Sequence, residues 1–148
     1  MQLLEDNRLF PVNSYGRGLA QELFASVRNL PIISPHGHTN PAWFAKDEAF
    51  ESPAELFVTA DHYVFRMLYS HGIALEDLGI SPINGSEVEV NPREIWRRFA
   101  ENYHLFRGTP SRLWIDHSLQ EVFGVDQVLT AKTSDTIYDK IATCLTLP

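Results

Sequence analysis

One short β-branched run in an otherwise helical pattern constrains this chain most. The run is Pro31-Ile32-Ile33, leading into Ser34-Pro35-His36-Gly37-His38. Bounded by prolines and rich in isoleucine, it reads as a brief strand. A buried strand needs neighbours that satisfy its N–H and C=O groups, and the rest of the pattern offers no convincing second one. Leu19, Leu23, Phe24, Val27 and Leu30 follow Asn13-Ser14 at helical spacing. Asn29-Leu30-Pro31 ends that helix, because proline restricts the residue before it and has no N–H to donate. Asn40-Pro41, Ser52-Pro53 and Asn91-Pro92 each pair a capping side chain with proline at the first helical position. A helix is expected over about residues 61–70, with Phe65, Leu68 and Tyr69 on one side and a stop at Gly72. Residues 79–90 carry Pro82 and Asn84-Gly85 and read as a loop with a turn. Ile95, Phe99, Tyr103 and Phe106 make the clearest amphipathic helix, ended by Gly108-Thr109-Pro110. Residues 113–119 are ambiguous between helix and strand. Thr133 or Ser134 caps a last helix with Ile137, Ile141, Cys144 and Leu145 on one face. Either the fold is helical with one stray extended segment, or partner strands lie beyond residue 148; the pattern leans to the second.

Composition narrows the function classes. A chain of 148 residues with 44% hydrophobic and 21% charged residues is ordinary for a folded soluble domain. Its net charge of -7 argues against nucleic-acid or anionic-membrane binding, which rely on clustered Lys and Arg. The one basic cluster, Arg93, Arg97 and Arg98, reads as the solvated face of a helix. Cys144 is the only cysteine, so no intrachain disulfide forms and a reducing compartment fits. No signal-peptide pattern opens the sequence and no apolar run approaches membrane-spanning length. A cytoplasmic protein is the expectation.

His36-Gly37-His38 is the sharpest chemical feature. On a strand, residues two apart face the same side, so both imidazoles can meet one metal ion, and imidazole suits zinc among other divalent metals. Two ligands leave a zinc site incomplete, and a loop pair without catalytic role is the competing reading. Asp61-His62-Tyr63, followed by Arg66, is the second feature. On a helix His62 and Arg66 share a face, where they could hold a carboxylate while Tyr63 moves a proton. The plainer reading makes Asp61 a helix N-cap, Tyr63 a core residue and Arg66 a surface residue. Asp116-His117 reads as structural, because adjacent residues face apart. His71 and His104 read as helix-end residues, and Cys144 as a small core residue.

Taken together, these segments resemble the opening of the uronate isomerase family. The resemblance is carried by Leu30-Pro31-Ile32-Ile33, His36-Gly37-His38-Thr39-Asn40-Pro41 and Ala60-Asp61-His62-Tyr63-Val64-Phe65-Arg66-Met67. Leu113-Trp114-Ile115-Asp116-His117-Ser118-Leu119 and Phe123-Gly124-Val125 extend it in the same order, over about residues 9–147. It implies an α/β fold: the N-terminal part of a metal-dependent, amidohydrolase-like (β/α)8 TIM-type barrel, here mostly α-helical with one or few strands. Residues 1–148 would be one segment of that barrel, with its first strand near 31–38. The implied activity is aldose-ketose interconversion of D-glucuronate with D-fructuronate and of D-galacturonate with D-tagaturonate. Carried over by motif, His36 and His38 would bind zinc or another divalent metal, His62 and Arg66 would bind substrate, and Tyr63 would bind substrate and transfer a proton.

A complete eight-stranded barrel takes about 250 residues. The expectation is therefore an incomplete part of a longer enzyme, with the C-terminal part of the barrel as its missing partner and a homo-oligomer as an open possibility. Alone, such a chain would neither hold zinc tightly nor turn over uronate. Two other readings compete: a metal-dependent hydrolase of the same barrel superfamily, and a non-catalytic helical binding module.

Overall fold

The computed structural model describes residues 5–34, 37 and 39–146. They divide between two compact units, one within Leu4–Glu48 and the other within Ala49–Pro148. In the first unit the predicted caps form as the side chains dictate. The Asn13 side chain accepts the Gly16 N–H at 2.7 Å and opens helix α1, Ser14–Val27. Asn40 accepts the Ala42 N–H at 3.0 Å and opens α2, Pro41–Lys46, with Pro41 in the first turn where no N–H is needed.

One expectation for this unit is corrected. The apolar stripe of α1 is not buried; Leu23 is 63% exposed and Phe24 52%. A helix buries such a stripe only against a complementary surface, and within its own unit α1 meets the ring of Phe10, edge-on to Phe24 at 5.9 Å. Of the segment 31–38, where a strand is expected, residues 31–34 and 37 are described. Residues 31–34 belong to no helix or ladder, and Ile32 and Ile33 are 94% and 88% exposed. A strand without a partner leaves its backbone groups to solvent.

The second unit holds the buried core. Ser52 Oγ accepts the Glu55 N–H at 3.1 Å, as its cap-then-proline pair predicts, but the helix it opens widens into a π turn, Glu55–Thr59. Helix α3, His62–Ser70, follows, and its buried residues are Val64 and Leu68 rather than the predicted Tyr69, which is 59% exposed. Gly72, at φ 98°, follows its end. A 3₁₀ turn, Glu76–Leu78, then meets Gly79 at φ 76°. There a Cβ would stand 2.8 Å from Ile95 Cδ1. Gly79→Ala is expected to cost about 1–2 kcal/mol, the penalty of a side chain in the left-handed region, measurable as a lower urea midpoint at unchanged slope.

Helix α4, Pro92–Glu101, is capped by Asn91, which accepts the Arg93 N–H at 3.0 Å. Ile95, Phe99, Tyr103 and Phe106 are all buried as their spacing predicts, although the last two sit on a separate 3₁₀ turn, Tyr103–Phe106. Phe99 lies at its centre, edge-on to Trp96, Tyr103 and Phe106 with ring centroids 5.2–5.6 Å away, a geometry the ring quadrupoles favour. The ambiguous residues 113–119 are helical, within α5, Pro110–His117, and a second π turn, Ser118–Val122. Helix α6, Ser134–Leu145, buries Ile137, Tyr138 and Ile141. Trp96 Nε1 donates to the Ser134 carbonyl at 3.0 Å and ties α4 to α6.

The arginines of α4 do more than solvate a face. Arg93 pairs with Asp135 and Asp139 and lies 4.2 Å above the Tyr138 ring. Arg97 pairs with Asp135 and Glu94, and Arg98 with Glu89 and Asp77. Hydrogen bonds from Arg97 hold the Asp135 carboxyl below its usual range, and the Asn91 N–H, then Arg98, do the same for Glu89. The sign follows from linkage: a carboxyl lowered on folding stabilises above its unfolded pKa and loses that contribution as pH falls through the folded value. The thermal midpoint is therefore expected to fall below about pH 4. Because the pairs are exposed, 1 M salt should weaken that dependence; thermal unfolding in a pH series at low and high salt checks both.

Candidate functional site

Helix α3 is the element that presents the predicted substrate face. Val64 and Leu68 are fully buried, which fixes the inner side of the helix and turns Tyr63 and Arg66 outward. Tyr63 is 54% exposed, so of its two readings the core one does not hold: the buried stripe runs through Val64 instead. His62 is half-buried and Arg66 exposed. The His62 and Tyr63 rings lie side by side, with centroids 4.2 Å apart and planes inclined at 33°. Asp61 is the N-cap, accepting the Tyr63 N–H at 2.8 Å. The capping and substrate-binding readings of this motif are thus compatible. One surface offers an imidazole, a phenol and a guanidinium: a cation for a carboxylate and two groups able to move protons.

The predicted metal ligands His36 and His38 lie outside the described residues. Among the described residues, no group of three or more His, Cys, Asp or Glu side chains is placed to hold a metal ion. Two imidazoles fall short of the three or four protein ligands zinc takes, so these two histidines alone do not complete such a centre. An open hollow of about 520 Å³ between Asn7, Phe10, Gln21, Phe24 and Arg28 contains none of the predicted site residues. Among the described residues, no helix is long and apolar enough to cross a membrane.

The remaining candidates resolve as structural. Asp116 does not pair with His117; it is buried, accepting from the Tyr103 hydroxyl at 2.9 Å and from Arg112 Nε at 2.7 Å. Arg112 also stacks on the Tyr103 ring at 3.9 Å and donates to the Tyr103 carbonyl. The reading of the sequence missed this cluster. Half of it was available in the Arg112–Asp116 spacing of four along a helix; the Tyr103 half depends on how the 3₁₀ turn docks. His71 caps the end of α3, and His104 Nδ1 lies 3.2 Å from the Glu101 carbonyl at the end of α4. Cys144 is half-buried beside the core.

Comparison with known proteins adds a separate line of observation. A family model described as glucuronate isomerase matches residues 8–147. The uronate isomerase of Rhizobium meliloti is 57% identical over 146 residues, which are 99% of this chain and 31% of that protein. That of Mesorhizobium japonicum is 53% identical over 143 residues, 97% of this chain and 30% of that protein. Among solved structures, a glucuronate isomerase from Caulobacter crescentus superposes with a TM-score of 0.88 at 44% identity, covering 97% of this chain and 30% of that one. A uronate isomerase from Thermotoga maritima gives a TM-score of 0.76 at 26% identity, covering 96% and 29%. The chain spans about three-tenths of the length of these relatives.

Proposed function

The chain belongs to the glucuronate isomerase family, and on that premise we propose that it serves a uronate isomerase as the part that presents His62, Tyr63 and Arg66 to the sugar acid. The observation that carries the reading is the family match over residues 8–147 on a chain whose Asp-His-Tyr helix turns Tyr63 and Arg66 outward. The reaction exchanges an aldose uronate with its ketose, D-glucuronate with D-fructuronate or D-galacturonate with D-tagaturonate. It requires a proton to leave the carbon beside the carbonyl and arrive on the neighbouring carbon, with charge on the oxygens stabilised meanwhile.

Arg66 supplies a fixed cation for the substrate carboxylate. His62 donates a hydrogen bond to a sugar oxygen, and the Tyr63 hydroxyl, on the exposed side of the stack, relays the proton. The rest of the fold in this reading is a (β/α)8 barrel, with residues 31–38 as its first strand and the remaining strands contributed from outside this chain. His36 and His38 would supply two ligands to zinc or another divalent ion, with further ligands from elsewhere in the longer protein; such an ion would, when bound, supply Lewis-acid polarisation of the substrate oxygens. The setting is the cytoplasm, with a small-molecule substrate, no nucleic acid, no membrane, and assembly of like subunits compatible with the fold.

The test compares two polypeptides, this chain and one of the relatives' full length that carries it. The longer one is expected to convert D-glucuronate to a ketose of identical mass, and the 148-residue chain alone to leave it unchanged. Products whose combined mass exceeds that of a sugar-acid derivative by one water would favour the hydrolase reading. No turnover by the longer polypeptide, with cooperative unfolding indifferent to zinc, would favour the binding module.

A further inference from the structure

The geometry points to Asp61 as the positioning residue that sets the orientation of His62 and Tyr63, an inference that rests on the functional reading above. Asp61 stands between two anchored segments. Upstream, the π turn Glu55–Thr59 is closed by the Ala60 N–H on the Glu55 carbonyl at 3.2 Å. It is seated by the fully buried Val58 and pinned by Thr59 Oγ1 donating to the Leu78 carbonyl at 3.2 Å. Downstream, Val64 and Leu68 seat α3 in the core. The remaining freedom lies in the few residues between, and Asp61 engages both sides of that junction. Its N–H donates to the Val58 carbonyl at 3.3 Å, its carbonyl accepts the Val64 and Phe65 N–H groups at 3.0 and 3.1 Å, and its carboxylate takes the Tyr63 N–H at 2.8 Å.

Successive residues on a helix point about 100° apart, so rings at adjacent positions lie side by side only when backbone and rotamers are both held. The His62 and Tyr63 rings do so at 4.2 Å, and the amide gripped by Asp61 is the one that carries the Tyr63 side chain. A free first turn would fray, because its N–H groups have no partners within the helix. Capping by Asp61 therefore fixes the turn from which both proposed substrate-facing groups project. The positioning acts through the hydrogen-bond acceptor rather than through its charge, since Asn and Ser cap as well as Asp does.

The experiment uses four proteins: the unsubstituted chain, Asp61→Ala, Asp61→Asn and Asp61→Ser. Ring-proton NMR shifts of His62 and Tyr63 in the 148-residue chain report their stacking. The indole N–H signal of Trp96, bonded to the Ser134 carbonyl, reports that the core is folded. The expected result is that Asn and Ser keep the ring shifts while Ala moves them to random-coil values with the Trp96 signal intact. In a polypeptide of the relatives' full length, Asp61→Ala should lower kcat about 10- to 100-fold, the size of effect that small misplacement produces. KM should change less, and Asn and Ser should restore kcat to within about twofold of the unsubstituted value. If Asp61→Ala loses the Trp96 signal, Asp61→Gly replaces it, because glycine removes the acceptor at smaller cost to the helix. Unchanged ring shifts in the variant lacking an acceptor overturn the inference, as does damage by Asn and Ser equal to that by Ala. If the unsubstituted longer protein does not isomerise uronate, the functional reading fails; the ring shifts then still decide whether Asp61 orients the pair.

Discussion

Replacing Tyr63 with phenylalanine in a polypeptide of the relatives' full length is expected to lower kcat about 10²- to 10⁴-fold, the range for losing a positioned proton-transfer group. The substitution deletes one hydroxyl and keeps the ring that lies 4.2 Å from His62. With the side chain 54% exposed and the neighbouring Val64 carrying the burial, the unfolding midpoint should stay within about 1 °C, since substitutions of this kind move stability by no more than about 0.5 kcal/mol. The separation of the two readouts is the point of the variant: a large loss of turnover at constant stability assigns the hydroxyl to chemistry. A loss of less than about threefold would remove Tyr63 from proton transfer, because it falls well short of the general acid–base range. His62 would then be the next group to test, as the other proton-bearing side chain on the same face.

Asp116→Ala is expected to destabilise the 148-residue chain by about 3–5 kcal/mol, the cost of removing one partner of a buried pair. Asp116 is 4% exposed and the Arg112 side chain 14%, so little water reaches either. The carboxylate accepts from Arg112 Nε and from the Tyr103 hydroxyl, joining α5 to the 3₁₀ turn that follows α4. Its removal withdraws the compensating charge from Arg112 and the acceptor from Tyr103 together. Replacing Arg112 by methionine in the same protein removes the uncompensated charge and should recover part of the loss. Urea unfolding of the three proteins measures both steps. A cost below about 1 kcal/mol for Asp116→Ala would place the pair with exposed salt bridges.

The match between sequence and structure is closest where a short-range rule is sufficient. Asn13, Asn40, Asp61 and Asn91 all cap the helices they precede, because capping depends on one side chain and an N–H two or three residues away. Ile95, Phe99, Tyr103 and Phe106 are all buried, because their regular spacing leaves one apolar face. The register of α3 was read less well. Of the stripe Phe65, Leu68 and Tyr69, Leu68 is buried and Phe65 packs against the core, but Val64 takes the place of Tyr69, and choosing between nearby stripes requires the surface they meet. Either stripe leaves Tyr63 on the outer side of α3, where it is 54% exposed.

The sequence by itself determined the family, the caps at Asn13, Asn40, Asp61 and Asn91, the buried face of the main apolar helix, and the grouping of His62, Tyr63 and Arg66 at the start of α3. All of these are encoded in neighbours a few residues apart or in ordered motifs along the chain. Only the tertiary structure decided that Asp116 meets Tyr103, and that the α4 arginines meet Asp135 and Asp139 of α6. Those partners lie up to 46 residues apart. The fate of Ile32 and Ile33 is of the same kind: their β-branched side chains favour an extended backbone, but a strand exists only where a second chain segment accepts and donates its hydrogen bonds. Local preference is a property of a few residues, whereas pairing, burial and charge compensation depend on where the packed core brings distant segments together.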